Sequence, residues 1–324
     1  MTRPTFEIPR DRQIVVTGSL AFDQIMVFPG NFKDHILLEK LHVINISFLV
    51  AEMRRQRGGC AGNIAYTLAL LGHPSRIVAT AGNDFGDYER WLREHGVDVS
   101  AVEIHEDEIT ASCFITSDKS DNQITGFFPG AMRHAGQLSL KELAGDRPGA
   151  VVIAPDDPAA MLRHAEEARQ LGLPFIFDPS FQVTAMDGAE LAAAARGAAM
   201  MVVNDYEFAV FGQKTGKEGD AIFDDIGMVV VTLGGEGSRI LLPGQEIEVP
   251  SANISQLADP TGAGDAFRGG FVAGLQRGYD LEICGRLGSV AAAYAVERHG
   301  TQVHSYTREA FEARYAENFG KLPD

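Results

Sequence analysis

AVVIAP (residues 150–155), MLRHAEEARQLG (161–172), PFIFDPS (174–180), ELAAAARG (190–197), MMVVN (200–204) and MVVVTLG (228–234) succeed one another through the middle of the chain. The apolar pieces are about five residues long, rich in β-branched and aromatic residues, and closed by Pro, Asp, Asn or Gly, which predicts buried strands. The intervening pieces carry helical periodicity and two of them end in glycine, a common helix stop. Short apolar strands separated by helices predict an α/β fold, with a central, mostly parallel sheet and helices on both faces.

Outward from this core the pattern persists in both directions. QIVV (Gln13–Val16) runs into Thr17-Gly18-Ser19, a buried strand delivering a loop. NIAYTLALLG (63–72), RIVATAG (76–82) and DYERWLREHG (87–96) read as helix, strand, helix. Two alanine-rich helices, Ala263–Gly278 and Leu281–Arg298, close the chain. Two stretches break the rhythm. The first holds IMVFPG (25–30), LHVINISFLV (41–50) and the polar MRRQR (53–57); the second holds VEIHE, TASCFITSD and NQITGFF, ending at Pro129-Gly130. Both predict short, half-exposed strands. The economical expectation is one domain over 1–324 that carries a small β-rich lid from about 24–57 and 103–132.

Composition bounds the function. The chain has 324 residues, with 28 Lys and Arg against 44 Asp and Glu, a net charge of −16. That balance argues against a nucleic-acid partner, which needs clustered cations, but not against a small anion held by a few local donors. Three distant cysteines, Cys60, Cys113 and Cys284, suit neither a disulfide framework nor a zinc site. The first residues lack an apolar signal-peptide core, and no apolar run reaches the length of a membrane span, so a cytoplasmic protein without a membrane partner is expected.

ADPTGAGDAFRGGF (Ala258–Phe271) carries the chemistry. Gly262, Ala263 and Gly264 precede Asp265 at a predicted helix start, where free N–H groups and the helix dipole make an anion site. A carboxylate placed there makes sense if it takes a proton from a hydroxyl while the N–H groups hold a transferring phosphoryl group. From spacing alone, a plain helix cap with a glycine turn explains these residues equally well.

With GGCAGN (Gly58–Asn63) upstream and the other landmarks in order, the chain over about 13–305 resembles the PfkB family of carbohydrate and nucleoside kinases, with its ribokinase-like fold. The resemblance implies Asp265 as catalytic base and Gly262, Ala263 and Gly264 as anion hole. Asp23 and Asn63 would bind the acceptor sugar, with Gly58 and Gly59 where lid meets core. Glu207 of NDYE would organise Mg2+ through water, near Asn204. Thr232, Gly234 and Gly237 would admit ATP. Asp259, Thr261 and Gly300 fall where some members bind a monovalent cation such as K+.

Within that family the stretch 28–50, DNQITGFFPGAM (121–132) and HGTQ (299–302) look most like bacterial adenosine kinases. The expected reaction is therefore ATP-dependent phosphorylation of the adenosine 5′-hydroxyl. A broader purine nucleoside kinase, a ribokinase-type sugar kinase and a non-catalytic nucleoside-binding protein stand as alternatives. Phe114, Phe127, Phe128 and Met132 are candidate base covers and Gln123 a polar reader, with packing between lid and core as the plainer role of each. An exposed lid sheet fits a monomer or a homodimer. Gly212–Lys217 lacks the spacing of a Walker loop, and the nine histidines show no zinc pattern.

Overall fold

The computed structural model describes residues 2–4, 6–35, 47, 49–120 and 122–323. The strands are β1 (Gln13–Thr17), β2 (Ala21–Val27), β3 (Glu52–Gly58), β4 (Ser75–Gly82), β5 (Asp98–His105), β6 (Ala111–Ser117), β7 (Gln123–Phe128), β8 (Pro148–Ile153), β9 (Phe175–Phe177), β10 (Met200–Asn204), β11 (Val229–Thr232), β12 (Ser238–Leu242) and β13 (Gln245–Val249). The helices are α1 (Cys60–Leu70), α2 (Gly86–Glu94), α3 (Leu140–Leu143), α4 (Pro158–Gln170), α5 (Gln182–Ala185), α6 (Gly188–Ala195), α7 (Asp205–Thr215), α8 (Ala263–Gln276), α9 (Leu281–Val296) and α10 (Arg308–Phe319).

Nine strands form the large sheet in the order β13-β12-β11-β10-β9-β8-β1-β4-β5. Every pairing from β11 to β5 is parallel, and β12 and β13 add an antiparallel hairpin at one edge. Alternation along β1 shows how one strand serves two layers. Ile14 and Val16 enter a core that includes residues of α1, α2 and α8, while Val15 enters a second core with residues of α4 and α6. All three are fully buried, as strands covered on both faces must be. Sequence order reverses at β1, which lies between β8 and β4. That reversal opens a crevice at the strands' C-terminal ends, where ligands of open α/β sheets bind.

The small sheet has the order β3-β2-β6-β7. Its strands come from both expected stretches, with two differences. Residues 103–105 belong to β5 at the edge of the large sheet, because they continue its parallel pairing with β4. LHVINISFLV lies almost wholly outside the described residues. MRRQR, by contrast, is the body of β3, paired antiparallel with β2. Among the described residues no helix is long and apolar enough to cross a membrane.

Candidate active site

The site is built around the start of α8. Gly262 occupies the position before the helix at φ 77°, and a Cβ there would sit 2.9 Å from the Thr301 methyl. Only glycine takes that turn without strain. Asp265 follows in the first turn, 9% exposed. Its Oδ2 accepts a hydrogen bond from Asn63 Nδ2 at 2.8 Å, and Asn63 Oδ1 accepts from Gln302 Nε2 at 2.9 Å. Gln302 also meets the Tyr88 hydroxyl, which donates to the Gly58 carbonyl at 2.9 Å. A continuous relay therefore runs from the last residue of β3 to the candidate base, and it fixes one orientation of that carboxylate. Asn63 lies inside α1, whose N-cap is Gly59, so its side chain is not a helix cap.

Burial pushes the Asp265 carboxyl above the usual carboxylate range; Arg268, Asn63 and the Cys60 thiol pull it down, and Glu207 adds to the rise. Asp23 on β2 behaves alike. Burial, then the charges of Asp259 and Asp265, raise it to about 6. A Cβ at Gly58 would fall 2.7 Å from Asp23 Oδ2, so the missing side chain is what gives this carboxylate its room. Asp259 accepts from the Thr261 N–H at 2.9 Å and the Gly300 N–H at 3.0 Å. The structure thus brings Asp259, Thr261 and Gly300 together, with the carboxylate tying the loop before α8 to the turn at Gly300.

Asp178, and Arg268 from within ADPTGAGDAFRGGF but given no role there, complete the electrostatics. Arg268, one turn beyond Asp265, donates through Nη2 to Asp178 Oδ1 at 2.7 Å, with Nε 2.5 Å from Oδ2. Both side chains are buried, and the guanidinium lies against Gly264, where Nη1 would be 2.5 Å from a Cβ. The Arg268 cation thus stands among Asp178, Asp265 and Glu207. The i,i+3 spacing of Asp265 and Arg268 was the one available sequence signal.

On the other side of α8, Thr232, Gly234 and Gly237 line a cavity of about 560 Å³ that reaches Ala263 and Gly264. Its walls include Ile254, Leu257 and Phe267. An apolar chamber opening onto a helix start is suited to a nucleotide whose phosphates lead toward Asp265. Asn204 and Glu207 form a reciprocal cap at the start of α7, each side chain accepting the other's backbone N–H at 2.8 Å. Asn204 Oδ1 is therefore committed to the helix. Glu207 is 8% exposed and uses only Oε2 in the cap. Among the described residues no cluster of three His, Cys, Asp or Glu could hold a metal by itself. One hard carboxylate completed by waters and phosphates is nevertheless the usual donor set for Mg2+, so Glu207 fits that ion.

Register corrects one expectation. Asp23 pairs with Cys113, and Cys113 with Phe127, so these side chains share a face of the small sheet. Phe114 pairs with Gln24 and Gly126 and points to the opposite face, away from Asp23. Phe127 and, by parity, Gln123 share the Asp23 face, and Phe114 does not. Phe128 shares Phe114's face, under Arg133, and Met132 is buried with Ala21 and Ala111. Phe127 also meets Phe181, which follows β9, at 6.4 Å between ring centroids. Both rings are about half exposed. They form an aromatic pair bridging the two sheets' parts of the molecule.

The fold that carries Asp265 at a helix start and the half-buried Asp23 on the small sheet has counterparts among known proteins. The profile of the pfkB family carbohydrate kinases matches residues 20–308, and the chain belongs to that family. A nucleoside kinase of Methanothermobacter thermautotrophicus is 31% identical over 316 residues, 97% of this chain and 98% of that one. The structure of Burkholderia thailandensis nucleoside kinase in complex with inosine is similar at TM-score 0.87 and 38% identity, covering 96% of this chain and 99% of that one. The same kinase in complex with ADP-inosine gives TM-score 0.84, 38% identity and coverage of 96% and 97%.

Proposed function

We propose that this protein transfers the γ-phosphoryl group of ATP to the 5′-hydroxyl of purine nucleosides. The observation that carries this is the pairing of two electrostatically coupled carboxylates, the half-buried Asp23 and the buried Asp265, with an aromatic pair on the Asp23 face. Asp23 accepts hydrogen bonds from the ribose diol, and Phe127 and Phe181 take the base. Asp265, oriented by Asn63, removes the 5′-hydroxyl proton. The N–H groups at Gly262–Gly264 hold the phosphoryl oxygens as charge moves onto them. Mg2+, held through water by Glu207, supplies charge neutralisation on the phosphates. A monovalent cation beside Asp259, Thr261 and Gly300 would add to the same field. Adenosine remains one acceptor within this class; the relatives named nucleoside kinase, one seen with inosine, support the wider range. The small sheet serves as a lid that excludes water as a competing acceptor.

The direct test is product identity. Phosphorus NMR on inosine or adenosine incubated with ATP and magnesium should show a nucleoside 5′-monophosphate, whereas free phosphate alone would refute the transfer. Base stacking on an aromatic ring contributes about 1–3 kcal/mol. Phe181→Ala is therefore expected to raise the nucleoside KM about tenfold or more while leaving any ribose turnover unchanged. Equal losses on both acceptors would remove Phe181 from base recognition.

The raised Asp23 carboxyl has a sign that can be checked. In the free protein it holds its proton up to about pH 6, and the protonated form is the poorer acceptor for two hydroxyls. Nucleoside binding measured without ATP should tighten about tenfold from pH 5 to pH 7, since ionisation follows that pKa. Asp23→Asn should bind weakly and without that slope. A flat wild-type profile would mean that Asp23 is not the diol acceptor.

A further inference from the structure

At the far end of α8 from Asp265 the chain forms a second polar cavity, of about 330 Å³, lined by Arg10, His73, Gln276, Arg277, Tyr279 and Arg308 together with Gly72 and Pro74. α8 has 14 residues, so its two ends are about 20 Å apart at 1.5 Å per residue. His73 and Pro74 immediately precede β4, and Gln276 Nε2 bonds the carbonyls of Pro9 and Arg12 just before β1. The cavity therefore sits at the N-terminal ends of the central strands, opposite the site described above.

Its wall is rigid. His73 Nδ1 lies 2.6 Å from Gln276 Oε1, and Arg277 Nε donates to His73 Nε2 at 3.1 Å. Because Gln276 presents its oxygen and Arg277 can only donate, the ring is fixed as the neutral tautomer with the proton on Nδ1. Arg277 Nη2 bonds Leu71 O at 3.0 Å, and Arg10 Nη2 bonds the Arg277 carbonyl. Arg308 gives Nε to Glu312 at 2.7 Å. Each guanidinium retains further N–H groups, and no acidic side chain is among the described residues lining the cavity. Three arginines converge in a chain of net charge −16, and the carboxylates acting on Arg308, Glu312 and Glu309, belong to its own helix and do not line the cavity. Capping the carbonyl ends of α1 and α8 accounts for part of Arg277 and Arg10. It does not account for Arg308, which comes from a separate helix and caps neither.

We propose that this basal cavity is a binding site for a small phosphate-bearing anion, separate from the phosphoryl-transfer site. Guanidinium forks match phosphate oxygens in planar, two-point contacts, and the pre-set Arg277 gives such an anion a fixed docking edge.

The test uses pyrophosphate and calorimetry on the full chain. Wild type should bind at two classes of site, one at Gly262–Gly264 and one at the basal cavity. Arg10→Gln/Arg308→Gln removes two exposed side chains and leaves Arg277, His73 and Gln276 in place. It should lose one class of site, with at least a tenfold loss of affinity there, and keep a single cooperative unfolding transition. Arg90→Gln/Arg93→Gln, which removes the same charge from α2, should keep both classes. A single class in wild type would overturn the proposal. So would two classes in the Arg10→Gln/Arg308→Gln protein, or equal losses in the α2 control, which would mark a general charge effect.

Discussion

Asp265→Asn is expected to lower kcat by roughly 10³-fold and to leave nucleoside affinity within a few-fold of wild type, because general-base catalysis contributes about 10²–10⁴. The substitution keeps shape, and the amide oxygen it introduces can still accept from Asn63 Nδ2, so the relay through Gln302 and Tyr88 survives. What is lost is the oxygen able to take a proton. Single-turnover kinetics, with binding followed separately, divides the two effects. Near-normal turnover would remove Asp265 from the chemistry; a large loss of binding with it would mean that the carboxylate holds the acceptor and is not the base.

The second large effect is on stability. Arg268 is 6% exposed and Asp178 0%, and each is the other's partner. Removing one member of a buried pair strands the other's charge, at a cost of about 3–5 kcal/mol, whereas replacing both by apolar residues is often neutral. Urea unfolding should therefore place Arg268→Met in that range and recover most of the loss in Arg268→Met/Asp178→Leu. The pH dependence has a defined sign. Burial holds the Asp178 carboxyl up, Arg268 works against that, and Asp265 and Glu207 add to it. Without Arg268 the folded-state pKa rises further above its unfolded value, so folding favours the protonated form. The variant's stability must then fall as pH rises through the folded-state pKa, and its deficit is larger at pH 8 than at pH 6. A loss below about 1 kcal/mol, or strict additivity in the double variant, would show the pair to be unimportant.

The two predictions stand on unequal sequence signals. Asp265 stood out as a candidate because its surroundings are local: glycines, a helix start and the carboxylate lie within four residues, although the base role came from the family resemblance. The strand–helix alternation was legible because period and strand ends are short-range properties, whereas Asp23 was singled out only through the family resemblance. The Asp178–Arg268 pair spans 90 residues and the Asn63–Gln302 bond 239, so no local pattern encodes them. The face taken by Phe114 was not legible, because alternation gives two faces without saying which one Asp23 shares. Register with β2 decides that, and a one-residue difference reverses it. Phe181 was invisible because it follows β9 in the large sheet while its partner lies on β7. The basal arginines were hidden in the same way, being drawn from positions 10, 277 and 308.

Nucleoside phosphorylation is tested most directly by coupled ADP release with ATP and magnesium across adenosine, inosine, guanosine, cytidine, ribose and fructose. The arrangement of Asp23, Asp265 and the Phe127–Phe181 pair predicts kcat/KM for purine nucleosides at least tenfold above either free sugar. Turnover greatest with ribose or fructose would contradict the assignment of the aromatic pair to a base, and no turnover with any acceptor from folded protein would contradict nucleoside phosphorylation itself.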